Sequence, residues 1–171
     1  MDEAKLKALR ERYAGKMLRD VRDPAFAKVA AQLLSSDDRR QWPFEGVATL
    51  LDQSYRPDAL SNGFPDLDVA LIGVPMDIGV TNRSGARLGP RAVRAIERVG
   101  PYDHVLRAVP GSSLRIADVG DVPMRSRYDL KACHEDIETF YTRVKAAGVI
   151  PLSVGGDHSI TYPILRALGA G

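Results

Sequence analysis

The sequence predicts an α/β fold, a three-layer α/β/α arrangement around a parallel sheet, and it predicts that this sheet is incomplete within the 171 residues. Three observations lead there. Apolar runs of strand length recur at residues 69–74 ("VALIGV"), 114–119 ("LRIADV") and 149–154 ("VIPLSV"). Helical periodicity fills the gaps, and this β-α-β-α-β-α order favours parallel strands with helices on both faces. Three such strands make a thin sheet, because parallel strands are normally flanked by neighbours and covered on both sides.

Taken in order, Asp2 is placed to cap a helix carrying Leu6, Leu9 and Tyr13, and Asp23-Pro24 opens a second one with Phe26, Val29, Ala30 and Leu33 as its stripe. "SSDDRRQ" breaks that pattern. "WPFEGVATLLD" follows, and its Trp42, Phe44, Val47, Leu50 and Leu51 form an apolar patch suited to packing on the main domain or on another subunit. Residues 1–60 are therefore assigned to a helical extension and 61–171 to the α/β domain. After the run at 69–74, a helix starts at Pro90 with Gly100 as its stop. Between the second and third runs, Asp129 caps a helix that stops at Gly148, with Cys133, Ile137, Phe140 or Tyr141, and Val144 facing inward. A short helix over 162–168 closes the sequence.

The composition is that of a soluble globular protein: 44% hydrophobic, 27% charged, net charge +2. No apolar run approaches the ~20 residues of a spanning helix, so no membrane is expected. The single cysteine, Cys133, and the lack of a leader pattern ahead of the first helix point to a reducing, cytoplasmic location. Arginines at 83, 87, 91, 94 and 98 fall in or near one helical register and could grip an anion or a partner. A solvated helix face is preferred for them, and nucleic acid is not an expected partner, because a binder of it carries a stronger basic excess with interleaved aromatics.

In open parallel sheets the ligand sits outside the carboxyl ends of the strands, where three loops are placed here. The first, "GVPMDIGVTNRSGARLGP", is glycine-rich but has neither the phosphate-loop pattern nor G-x-G-x-x-G. The second begins with Asp118 and Asp121 in "ADVGDV", which read as turn-forming acids. The third is "GGDHS", whose His158 can be a metal ligand, a general base or a hydrogen-bonded turn residue. Neither His104 nor His134 stands at H-E-x-x-H spacing, and no complete metal site can be assembled.

"GVPMDIGVTNRSGARLGPRAVR" (73–94), "DVGDV" (118–122) and "SVGGDHSIT" (153–161), in this order and spacing, resemble the N-terminal half of the ureohydrolases: arginase, agmatinase, guanidinobutyrase and their relatives. With "WPFEGVATLL" included, the agmatinase and guanidinobutyrase side is the more similar. The resemblance implies an arginase-like fold and a binuclear Mn²⁺ centre, Ni²⁺ in some relatives, at the strand ends. It makes His158 one metal ligand, with Asp157 and Ser159 helping to fix its imidazole, and Met76 and Asp77 on the rim of the substrate pocket. The implied reaction is hydrolysis of a linear guanidino compound to urea and an amine, in a homo-oligomer. The family's remaining ligands lie in D-A-H-x-D and D-x-D motifs, which this sequence lacks. The chain is therefore expected to be a fragment, inactive alone. The alternative is a non-catalytic oligomer or binding subunit that keeps half of the fold.

Overall fold

The computed structural model describes residues 2–13, 46–96, 103 and 105–169. Trp42, Phe44, His104, Arg98, the stop at Gly100 and the helix assigned after Asp23 lie outside the described residues. The chain divides into two compact units, one of residues 1–40 with 102–110 and one of residues 41–101 with 111–171. In the first, helix α1 (Glu3–Tyr13) begins where the Asp2 carboxylate accepts the Ala4 N–H at 3.2 Å, as its capping position predicts.

The second unit holds a parallel sheet. Its strands are β1 (Ser54–Tyr55), β2 (Val69–Val74), β3 (Ile116–Asp121) and β4 (Ile150–Gly155), in the spatial order β1-β3-β2-β4. β2 falls on the predicted run. β3 starts two residues later than periodicity placed it, because Arg115 is committed to Asp68 through its backbone N–H at 2.8 Å and its guanidinium at 2.6 Å. β1 was not foreseen, since two residues carry no periodicity, and it brings the sheet into the stretch ahead of residue 61.

The other described α-helices are α2 (Gly89–Arg94), α3 (Pro110–Ser113), α4 (Leu130–Ala146) and α5 (Thr161–Gly169). Asp129 caps α4 by accepting the Ala132 N–H at 3.1 Å, and Gly148 follows its end at φ +70°. The inner face of α4 is Cys133, Ile137, Phe140, Tyr141 and Val144, all buried against Ala70, Ile72 and Val74 of β2 and Ala117 and Val119 of β3. The alternate residues of β2 face the other way. A side chain at Gly73 would strike Pro90 of α2, so α2 covers that second face and three layers result. The cover is partial: Ile150 and Leu152 on β4, an edge strand, stay 64% and 48% exposed.

Candidate functional site

The carboxyl end of β4 turns through Gly155 and Gly156. At Gly156 φ is +78°, and a Cβ there would lie 2.5 Å from the Val74 carbonyl oxygen and 2.7 Å from that of Met76. Only glycine lets this turn lie against the end of β2. Asp157 then binds the two loops together. Its N–H donates to the Met76 carbonyl at 2.8 Å, while its buried carboxylate accepts the Gly79 N–H and the Ser159 N–H, each at 2.8 Å.

His158 stands next, exposed, at the start of a 3-10 turn (His158–Ile160). Its Nδ1 lies 3.2 Å from Thr161 Oγ1, and its Nε2 has no hydrogen-bond partner among the described residues. One ring nitrogen anchored and the other open is the arrangement a ligating histidine needs. Thr161 escaped sequence reading, although its position three residues after His158 at a helix start was the available signal. No hydrogen bond joins Asp157 or Ser159 to the imidazole among the described residues. Asp157 shapes the backbone of the turn, and Ser159 Oγ lies 3.2 Å from Nε2 of His134, which ties the turn to α4.

Asp77 is 3% exposed and holds the first loop closed, accepting the Gly85 N–H at 2.7 Å and the Arg87 Nε–H at 2.5 Å. The Arg87 bond holds its pKa at about 2. Met76, 2% exposed, belongs to the core. Both also wall a cavity of about 180 Å³ at the ends of β2 and β3, together with Arg87, Met124, Arg127 and Cys133.

Arg83, Arg87 and Arg91 are exposed, as a solvated face requires, and Arg94 is the departure from it. Arg94 is only 14% exposed and forks onto Asp118, Nε at 2.8 Å and Nη2 at 2.9 Å, while its Nη1 reaches Asp121 at 2.6 Å. Asp118 is fully buried and also accepts the N–H groups of Leu50 and Gly120. Burial pushes the Asp118 pKa up, and Arg94 with the two N–H groups outweighs it, so the carboxyl stays below its ordinary value. Asp121 ends β3, as the sequence predicts, whereas Asp118 lies mid-strand and is not a turn-forming acid, and the sequence carried no sign of its buried partner.

The sequence profile of the arginase family matches residues 67–171. The chain belongs to the arginase family. This arginase-family chain is 52% identical over 104 residues to a guanidinopropionase of Pseudomonas aeruginosa, an alignment covering 60% of this chain and 32% of that protein. It is 43% identical over 127 residues to a guanidinobutyrase of the same organism, covering 73% and 39%. Among solved structures, a hypothetical agmatinase from Burkholderia thailandensis superimposes with a TM-score of 0.66 at 32% identity, over 75% of this chain and 39% of that one. A Trypanosoma cruzi formiminoglutamase with Mn²⁺ superimposes with a TM-score of 0.50 at 32% identity, over 60% and 35%. The chain thus spans about a third of the length of the relatives it matches.

The described residues contain no group of three or more His, Cys, Asp or Glu side chains that could hold a metal ion. A binuclear centre does not fit these residues by themselves.

Proposed function

We propose that this chain works in a metal-dependent hydrolase that cleaves a linear guanidino compound to urea and an amine. The observation that carries this reading is His158, presented at the carboxyl end of β4 with Nδ1 on Thr161 and Nε2 open, in a chain of the arginase family. In the proposed reaction water adds to the guanidinium carbon, the bond from that carbon to the substituted nitrogen breaks, and a proton passes to the departing nitrogen. Urea and the amine result. His158 is proposed as one ligand of a Mn²⁺ or Ni²⁺ centre whose other ligands lie outside the described residues, and the formiminoglutamase with Mn²⁺ supports that choice of ion.

The test is urea release from guanidino compounds by the intact protein, with metal content measured alongside. Replacement of His158 by Ala is expected to lower metal content and nearly abolish turnover. Unchanged metal content would remove His158 from the ligand set. A second reading, a non-catalytic binding subunit, is favoured by one observation: the exposed Ile150 and Leu152 on the sheet edge are suited to covering by another polypeptide. Urea release dependent on His158 would remove that reading.

A further inference from the structure

The cavity at the ends of β2 and β3 holds one carboxylate and two guanidinium groups. Its carboxylate is already committed. Asp77 is buried, takes hydrogen bonds from Gly85 and Arg87, and forms an ion pair with Arg87. To receive an incoming ammonium it would have to give up those donors, which is costly for a buried charge. The same pair balances the charge of Arg87.

Arg127 is left. It lies on the loop after β3, lines the cavity and is exposed, and no acid among the described residues pairs with it. Its neighbour Arg125 differs, because Glu135 and Asp136 both engage it. The lining also includes the apolar side chains of Met76, Ile78, Val122 and Met124. A short apolar slot with one uncompensated guanidinium suits a methylene chain that ends in a carboxylate. The methylenes lie against the methionines, and the carboxylate meets the planar fork of an arginine. A chain ending in an ammonium meets only repulsion there.

The slot also adjoins the proposed site. Met76, which lines it, and Gly79, next after the lining residue Ile78, are bonded to the turn that carries His158: the Met76 carbonyl accepts from the Asp157 N–H, and the Gly79 N–H donates to the Asp157 carboxylate, each at 2.8 Å.

We propose that Arg127 sets the substrate class by binding the carboxylate of an ω-guanidino acid, with the guanidino end directed toward the His158 turn, in preference to a guanidino amine. This rests on the hydrolase reading for what happens at the guanidino end. The carboxylate site itself does not depend on turnover.

Two probes of equal chain length separate the possibilities, 4-guanidinobutanoate and agmatine, which differ in the terminal group. The chain has 4 methionines, and two of them, Met76 and Met124, line the cavity. Methyl-labelled methionine in the metal-free 171-residue chain therefore reports occupancy by NMR. The acid is expected to shift Met76 and Met124 saturably, and agmatine is expected to shift neither. Arg127→Ala should weaken the acid about tenfold, the loss of one charge-assisted contact. Arg127→Glu should transfer the preference to agmatine, and Arg91→Ala, an exposed change on α2, should alter nothing. Equal shifts with both probes, no shift with either, or acid binding unmoved by Arg127→Ala would overturn the proposal. Urea assays on the intact protein separate this from the hydrolase reading. Turnover of both compounds with a KM ratio insensitive to Arg127 removes Arg127 and leaves the hydrolase. Arginine-dependent binding of the acid with no urea formed removes the hydrolase and leaves the carboxylate site.

Discussion

At Gly156 two constraints coincide, a φ of +78° and the carbonyl oxygens of Val74 and Met76 on the side where a Cβ would stand. Positive φ alone costs a non-glycine residue about 1–3 kcal/mol, so Gly156→Ala is expected to destabilise by at least that much, read as a lower denaturant midpoint. It should also displace His158, because the turn is positioned through Gly156 and Asp157. A second expectation concerns the buried fork. Removing the guanidinium with Arg94→Ala leaves Asp118 charged and fully buried with two backbone donors, and should cost about 3–5 kcal/mol. An unchanged melting temperature in that variant would mean the pair contributes nothing to the fold. Asp121 was legible in the sequence as an acid at a strand end, whereas the mid-strand place of Asp118 and its partner Arg94, on α2 and 24 residues earlier than Asp118, were not. A partner across that separation is set by the crossing of α2 over the sheet, and no local pattern encodes it.

Helix α4 was the most readable element. Its cap, its apolar spacing and its glycine stop are all local, so chain chemistry places it before any tertiary contact is known. Its stability is correspondingly easy to perturb at the cap: Asp129→Ala loses the bond to the Ala132 N–H and should cost about 1 kcal/mol, measured by thermal unfolding. The strands were readable in position but not in role. β3 was displaced by the Asp68–Arg115 contact, and β1 is too short to announce itself. The face that α4 presents to solvent gave no hint that His134 reaches Ser159 and so joins the helix to the turn bearing His158.

For the second unit as a whole, acid sensitivity should follow the depressed carboxylates. Asp77 has a folded pKa of about 2 against 3.8 for the free group, and Asp118 is also lowered. A carboxyl whose pKa is lower when folded stabilises the fold above its unfolded pKa and loses that contribution as pH falls through the folded value. Stability should therefore be level down to about pH 4 and fall from there toward pH 2, and Asp77→Asn should flatten part of that fall. A decline that begins near neutrality would contradict this assignment. The exposed Ile150 and Leu152 make a further expectation at this scale: Ile150→Lys should reduce self-association in light scattering while leaving the melting temperature almost unchanged, since the side chain is 64% exposed.

The sequence by itself determined the parallel α/β architecture, the family, and the loop on which His158 sits. Each of these is written in local signals: apolar run length, caps, glycine stops and the spacing of short motifs. The tertiary structure decided which charges are spent and which are free. Arg87 and Arg94 are consumed by Asp77 and by Asp118 with Asp121, while Arg127 lines the cavity with no acid paired to it among the described residues. Pairing depends on distances between residues far apart in the chain, and burial then makes those pairs strong. A row of arginines reads the same on paper whether its charge is buried, shared or available.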